Sequence, residues 1–252
     1  MKFTDMFSER ARLYSRYRPE YPAELFSWIG TVTMRRATVW DCATGNGQAA
    51  RDLARLFDRV IATDASTEQI SNAVPGERIE YRVANASESG LPGESVSMVT
   101  VAQALHWLDL DSFYAEVNRV LEPGGAIVIW GYGDPVMETE PLEDLVHDLN
   151  RGTLEKYWTP QRQSLLEEYA NVPFPFREIE TPRLNLECQW TLSELSGYMR
   201  TWSATANYVK ANGLDPVDAV EAMLAKRWGE SGRRRSVKWP LHIRAGYSEA
   251  RL

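Results

Sequence analysis

A short apolar strand, a glycine turn and a helix follow one another in Val39 to Ala50, VWDCATGNGQAA, with an acid where the strand meets the turn. No other segment limits the fold as strongly. Glycine has no Cβ, so Gly45 and Gly47 can take the left-handed backbone of a tight turn and let a ligand approach the chain closely. The spacing Gly45-x-Gly47-x-x-Ala50 also fits a dinucleotide site, where a pyrophosphate rests on a helix N-terminus and an acid about 20 residues later takes a ribose. Asp41 separates the two readings. A carboxylate within one turn of Gly45 repels a diphosphate and attracts an ammonium group, with unit charges ~4 Å apart worth roughly 4 kcal/mol at an effective dielectric of about 20.

Gln48 to Phe57 then reads as a helix, and Arg59 to Thr63 as a second apolar strand ending at Asp64, with Ala65 beside it. The Asp64 carboxylate is placed to accept both hydroxyls of a ribose. An amino-acid ammonium joined to a ribose describes S-adenosylmethionine, with S-adenosylhomocysteine as the product of its use.

At this point the chain resembles the class I S-adenosylmethionine-dependent methyltransferases of type 11, and the likeness continues in register. Ile79 to Ala84 reads as a third strand, followed by Asn85-Ala86-Ser87-Glu88 where the family places an adenine-binding turn. Val96 to Gln103 is a fourth strand running into Ala104-Leu105-His106-Trp107, and Leu121-Glu122-Pro123-Gly124-Gly125 precedes a fifth, Ala126 to Trp130. Tyr14-x-x-x-Arg18-Pro19-x-Tyr21-Pro22 and AQALHW at 102 to 107 look like the small-molecule branch that includes the trans-aconitate methyltransferases. One departure stands out: the first glycine of the family's loop is Ala43 here, so that position needs a backbone that tolerates a Cβ.

The resemblance implies a Rossmann-like α/β fold, a seven-stranded mixed sheet with helices on both faces and a helical cap. It also implies a cofactor site of Tyr14, Arg18, Asp41, Ala43, Gly45, Gly47, Asp64, Ala65, Ala86, Ser87, Glu88 and Gln103. Tyr14 and Arg18 match arm residues that close over the methionine end of the cofactor, Arg18 pairing with its carboxylate or else fixing the arm to a surface acid. His106, at the end of the fourth strand, orients the acceptor or takes its proton, or is a hydrogen-bonded ring in the pocket wall. Trp107 touches substrate or lines the pocket. Trp202 and Ser203 offer an aromatic wall and a hydroxyl to the acceptor, the plainer alternative being a capping Thr201 with a buried Trp202. Arg200 and Arg244 are further carboxylate anchors to consider.

Organisation follows from pattern. Residues 1 to 36 read as an N-terminal arm with a helix from Pro22 to about Ile29, Pro22 suiting a first helical turn. From Ala37 to Tyr132 apolar, β-branched strands alternate with helices, which argues for right-handed βαβ crossovers and a parallel sheet. Residues 133 to 235 read as a helical cap carrying one core strand near 183 to 190, and 236 to 252 as a last strand and tail, all within one domain. Arg183 to Trp190 and Ser236 to Tyr247 are expected as an antiparallel pair.

Composition excludes some classes of function. A formal charge of −7 with a pI near 5.2 lacks the basic face a nucleic-acid backbone needs, and Arg233-Arg234-Arg235 reads as a solvated approach to the last strand. The two cysteines, Cys42 and Cys188, form no paired metal motif and suggest no disulfide framework. The opening residues lack a secretory apolar run and no stretch of about 20 apolar residues is present, so a cytoplasmic protein is expected, with no membrane partner and no metal. The sequence leaves the oligomeric state open.

Methyl transfer from a sulfonium is an in-line displacement on an activated carbon, so alignment can supply most of the catalysis. An ionised carboxylate acceptor needs no base, whereas a hydroxyl or amine does. The expected reaction is methylation of a small molecule, with the carboxylate oxygen of an organic acid as first choice. The rival readings are an NAD-linked oxidoreductase on a similar fold and a non-catalytic cofactor-binding protein.

Overall fold

The computed structural model describes residues 17–230 and 232–248, so Tyr14 lies outside the described residues. Two compact units emerge from them: residues 21–133, 163–184 and 241–248 form a core unit, and residues 17–20, 134–162, 185–230 and 232–240 a second. Within the segment expected as the cap, residues 163–184 group with the core unit, and residues 185–190, the larger part of the strand expected near 183–190, group with the second.

In the core unit, α1 (Ala23–Val32) starts directly after Pro22 and runs three residues beyond the expected Ile29. It buries Leu25, Phe26, Ile29 and Val32, the spacing of three and four that puts an apolar stripe on one helix face. Strands and helices then alternate as β1 (Thr38–Cys42), α2 (Gln48–Leu53), β2 (Arg59–Asp64), α3 (Thr67–Ser71), β3 (Ile79–Val83), β4 (Val96–Ala102), α4 (Leu110–Val120) and β5 (Leu121–Tyr132). The helix expected to reach Phe57 ends regularly at Leu53 and continues as turns, with Phe57 N–H bonded to the Leu53 carbonyl.

Strands β3, β2, β1, β4 and β5 pair in that order and all run parallel. β1 therefore has β2 on one side and β4 on the other, and the reversal of strand order leaves a crevice beyond their carboxyl ends. Every residue expected to touch the adenosine lies at such an end. β5 begins at Leu121 rather than Ala126, because Val96 pairs with Leu121 before an irregularity that resumes at Met98 and Ala126.

The interior explains why the alternation holds. α4 turns Phe113, Tyr114, Val117 and Val120 inward, and Phe113 meets the fully buried Trp40 of β1 at a ring separation of 6.2 Å. Each such side chain contributes roughly 1.5–3 kcal/mol by leaving water. Trp40 donates its indole N–H to the Thr63 hydroxyl at 2.8 Å, which satisfies its polar atom and ties β1 to β2.

A long last strand, β9 (Arg235–Tyr247), passes through both units. Its residues Leu241 to Tyr247 run antiparallel to β5, and β7 (Arg177–Glu178) pairs with its end at Tyr247 and Gly246. Its residues Arg235 to Pro240 pair antiparallel with β8 (Asn185–Trp190), while β6 (Val136–Met137) pairs at Val237 and Lys238. The expected antiparallel pair thus forms, but the half of β9 that meets β5 is not the half that meets β8. Seven strands lie in the order β3-β2-β1-β4-β5-β9-β6, and β7 and β8 pair with β9 off that path. The fold is a mixed α/β sheet flanked by helices.

The second unit is mainly helical: α5 (Glu140–His147), a π-helical turn at Asp148–Thr153, α7 (Leu192–Arg200), α8 (Ser203–Asn212) and α9 (Pro216–Trp228), α6 (Arg162–Leu166) lying where the two units join along the chain. Thr191 and Glu194 form a reciprocal capping box at the start of α7. Gly213, at φ +72°, closes α8, and Asp215 caps α9 with Pro216 in its first turn. Trp190, Tyr198, Trp202 and Trp239 form a ring cluster with neighbouring centroids 5.1–5.7 Å apart. The basic run is not wholly solvated: Arg235 is buried, donating to the Trp228 carbonyl that ends α9 and to Glu138 at 2.8 Å.

Candidate functional site

A cavity of about 560 Å³ lies at the carboxyl ends of β1 to β4, all of its lining residues within the core unit. Asp64 and Ala65 follow β2; Ala84, Asn85, Ala86 and Ser87 follow β3; Ala43 comes from the glycine loop; Ala104, Trp107, Leu108, Asp109 and Ser112 follow β4. Five alanines give it a smooth apolar wall, and its charged lining residues are two acids. A diphosphate would meet Asp64 and Asp109 with no Lys or Arg among the described lining residues to offset them, whereas a neutral nucleoside meets no such penalty.

The loop itself is left-handed at Ala43, Gly45 and Gly47, with φ of +53°, +59° and +83°. At Gly47 a Cβ would run into the Tyr81 ring, 2.8 Å from Cε1, so both its backbone angle and its surroundings exclude a side chain. Gly45 has open space around it and needs only the angle. Ala43 does not occupy a backbone conformation that suits a Cβ: it takes the left-handed one regardless, at a cost of roughly 1–2 kcal/mol.

Asp64 joins loop to strand. Its Oδ2 accepts the Gly45 N–H at 2.9 Å and its Oδ1 the Ser66 N–H at 2.8 Å. A carboxylate offers about four lone-pair sites, so each oxygen keeps one for a hydroxyl of a vicinal diol. Beyond β3, Ser87 donates its N–H and hydroxyl to the Asn85 side chain, both at 3.1 Å, closing the turn that carries Ala86. Glu116 holds this turn in place by accepting from Ser89, and Arg119 beside it keeps that carboxyl down at about 2. Glu88 is exposed and is not among the lining residues.

Asp41 is not where direct contact with an ammonium would put it. It is fully buried, outside the lining, and its oxygens accept hydroxyl protons from Thr44 and Thr100. Burial raises its pKa from 3.8 to about 6, the two threonines only partly offsetting the loss of water. Gln103 is also taken up structurally. At φ +55° it bonds through both amide atoms to the Tyr132 backbone, at 2.8 and 2.9 Å, and extends the β4–β5 ladder by side chain.

His106 sits in a 3₁₀ turn, Leu105–Trp107, at the end of β4. Its Nδ1 lies 2.9 Å from the hydroxyl of Tyr169, and burial lowers its pKa from 6.5 to about 4. Trp107 beside it, ring centroids 5.0 Å apart, is 55% exposed and lines the cavity. Arg244 is no free anchor, since it binds Glu178 and the carbonyls of Tyr169 and Val172.

The remaining candidates belong to the second unit. Arg18 is half-buried there, and Ser203 opens α8. Trp202 is 6% exposed and packed in the ring cluster, and the Thr201 hydroxyl donates to the Tyr198 carbonyl at the end of α7 rather than capping the start of α8. Arg200 is held by Asp215, Asp218 and Glu221. Among the described residues no group of His, Cys, Asp and Glu could hold a metal, and no helix is long and apolar enough to cross a membrane. Cys42 and Cys188 are free thiols.

Sequence reasoning missed Asp109, Ser112 and Tyr169. The first two carried a signal, an acid and a hydroxyl three residues apart opening a helix just after the fourth strand. Tyr169 carried none.

A parallel sheet with reversed strand order, a glycine loop after its first strand and an acid after its second make the crevice at the strand carboxyl ends the candidate ligand site of an α/β fold. A family described as a methyltransferase domain matches residues 40–129. A Dictyostelium discoideum protein described as a methyltransferase is 32% identical over 230 residues, covering 90% of this chain and 88% of its own. A Mycobacterium tuberculosis methyltransferase is 31% identical over 179 residues, 62% of this chain and 72% of its own. A solved structure described as a type II methyltransferase of Anaeromyxobacter dehalogenans superimposes with a TM-score of 0.87 at 39% identity, covering 93% of this chain and all of that one. The chain belongs to the class I S-adenosylmethionine-dependent methyltransferases. The oxidoreductase alternative falls with that membership, and family membership implies S-adenosylmethionine as the cofactor.

Proposed function

We propose that this methyltransferase transfers a methyl group to a carboxylate oxygen of a small organic acid. The observation that carries the reading is the state of His106 at the end of β4. Its ring is bonded to Tyr169 through Nδ1, and burial drops its basicity to about 4. Such a ring is a poor proton acceptor for a phenol or an alkylammonium, both of which hold their protons at neutral pH. A carboxylic acid is already ionised there and asks for no base. The likeness of the arm and of AQALHW to the trans-aconitate methyltransferase branch supports the same acceptor class.

Bound S-adenosylmethionine would supply a methyl carbon activated by its sulfonium. Asp64 would hold the ribose hydroxyls, Ala43, Ala65, Ala84 and Ala86 would face the nucleoside, and Gly45 and Gly47 would let the backbone approach it, while Ser87 and Asn85 shape the adenine turn. Arg18 and Tyr14 remain proposed partners of the methionine carboxylate. Asp41 would act behind the loop through its field, since its oxygens are already engaged. Trp107 and His106 would bound the acceptor side.

A screen with radiolabelled methyl donor against small carboxylic acids, phenols and amines tests this. Label should appear in products that alkali hydrolyses to methanol, as methyl esters do. Label confined to alkali-stable phenolic ethers or methylamines would refute the carboxylate reading, and no transfer to any acceptor would favour a binding protein. Asp64→Ala should lose cofactor affinity, and His106→Ala should lose turnover with that affinity intact.

A further inference from the structure

Tyr169 lies in the core unit 63 residues beyond His106, and the chain distorts itself to bring the two together. Glu168 and Tyr169 are consecutive left-handed residues, φ +58° and +57°, and neither is glycine. Backbone of this kind persists only where the surroundings impose it, and it gathers at working sites. Here the imposition is visible. Arg244 on β9 donates to the Tyr169 carbonyl at 3.0 Å and the Val172 carbonyl at 2.6 Å, stapling the turn from outside. On the inner side Tyr169 lies against Gly131 of β5, where a Cβ would come within 3.0 Å of the ring's Cε2. The result is a phenol, fully buried, aimed at one nitrogen of one imidazole.

The direction of that hydrogen bond follows from proton accounting. Among the described residues, Nδ1 of His106 is the one hydrogen-bond partner of the Tyr169 hydroxyl, and the side chain is shut off from solvent. If Nδ1 carried a proton and donated it, the phenol hydrogen would be buried with no acceptor. If the phenol donates, both atoms are satisfied and the neutral ring keeps its single proton on Nε2. Burial also raises the Tyr169 phenol, so it stays protonated and able to donate.

We propose that Tyr169 is a positioning residue that donates to Nδ1 and locks His106 as the Nε2–H tautomer, so that His106 meets the acceptor as a hydrogen-bond donor and not as a base. The second half of this statement rests on the carboxylate reading above, since a donor complements an anionic oxygen and does nothing to deprotonate an alcohol or ammonium. The first half stands on geometry alone. The assignment separates the two roles the sequence left open for His106, and it gives a function to a strained turn with no sequence signature.

Nitrogen-15 NMR of the histidine-labelled protein saturated with S-adenosylhomocysteine decides the tautomer without any acceptor. His106→Gln identifies the signals among the three histidines. The expected pattern at neutral pH is Nε2 in the protonated range and Nδ1 in the unprotonated range, with Tyr169→Phe moving His106 toward the mixture of tautomers of a free imidazole. A protonated Nδ1 in the wild type would overturn the proposal, whatever the variants do. A second arm uses a carboxylic acid returned by the methyl-transfer screen. His106→Gln, whose amide can donate but not accept a proton as a base, should keep kcat within about tenfold of wild type, because a donor to the anionic oxygen is retained and only its placement changes. A loss of about 10²–10⁴-fold, equal to that of His106→Ala, would assign general-base work to the ring and sink the donor role. If the screen returns no carboxylic acid, the functional reading fails while the tautomer is still decided by the spectrum.

Discussion

Replacing Asp41 by Asn should make this protein more stable near neutral pH, although it removes the acid that first drew attention to the loop. Asp41 is fully buried with no cation paired to it among the described residues, and its pKa rises from 3.8 to about 6. A folded-state pKa above the unfolded value means the fold holds this proton more tightly than the open chain does. The associated stability is therefore complete below 3.8 and lost as pH climbs through about 6. At neutral pH the folded chain bears a charge it would rather not have, at a cost of roughly 3 kcal/mol. Asparagine carries no charge, and its amide can accept from one threonine hydroxyl and donate to the other, so hydrogen bonding gives back about 1 kcal/mol or less. The net expectation is a gain of about 2 kcal/mol near pH 7 that shrinks toward zero near pH 4. Urea denaturation at both pH values reads this as a shift in midpoint at constant slope. His106 titrates with the opposite sign, but it is common to both proteins and drops out of the difference. An Asn variant no more stable than wild type near neutrality, or a gap that ignores pH, would refute the reasoning. A more stable protein with weaker S-adenosylhomocysteine affinity would show that the buried charge is kept for the ligand.

Asp64→Asn should weaken S-adenosylhomocysteine binding by about 10–100-fold in calorimetry, the range of a lost charge-assisted hydrogen bond, because Asn has one acceptor oxygen for the loop amides and the diol. Gly45→Ala should cost about 1 kcal/mol in urea denaturation, the charge for a left-handed Cβ in open space, while Gly47→Ala should cost clearly more because it also strikes Tyr81; equal effects would contradict the loop geometry. His106, whose folded pKa of about 4 lies below the ordinary 6.5, contributes stability above 6.5 that is lost as pH falls through about 4. His106→Gln should therefore unfold at lower pH than wild type in an acid titration followed by circular dichroism.

Half of this architecture could be read from the chain because parallel strands buried on both faces are short, continuous and β-branched, and glycine and acid mark their carboxyl ends. The strands expected over Val96 to Gln103 and Arg59 to Thr63 each end within one residue of the observed Ala102 and Asp64. β5 was misjudged at its start because Glu122-Pro123-Gly124-Gly125 has the composition of a turn, yet Leu121 already pairs with Val96 across the irregularity. β6 and β7, two residues each, are too short to show any period. β9 keeps its direction through Pro240, although proline usually ends a strand or confines it to an edge. The glycine turn of the candidate site was legible because backbone conformation dictates residue type there, as at Gly47. Asp41 and Gln103 were placed at the right strand ends, but their side-chain partners, Thr44 and Thr100 for the first and the Tyr132 backbone for the second, depend on tertiary register that no local pattern encodes.

Unfavourable energy in the core unit is concentrated at a few places, and that distribution itself argues for function. Ala43, Glu94, Gln103, Glu168 and Tyr169 all hold left-handed backbone without being glycine, and Asp41 is a fully buried carboxylate with no ion pair among the described residues. Summed at about 1 kcal/mol per left-handed residue and roughly 3 kcal/mol for the acid, these costs rival the whole net stability of a typical domain, about 5–15 kcal/mol. Glu94, in the exposed turn before β4, stands apart from the site. Of the others, Asp41, Ala43 and Gln103 stand at the ends of β1 and β4, beside the point where strand order reverses, and the turn at Tyr169 reaches the same end of β4 through His106. The apolar core that α1 and α4 help to bury is what makes the expenditure tolerable. On this view the strand ends are held in a geometry the chain alone would not choose, so relieving the strain should raise stability and lower methyl transfer together.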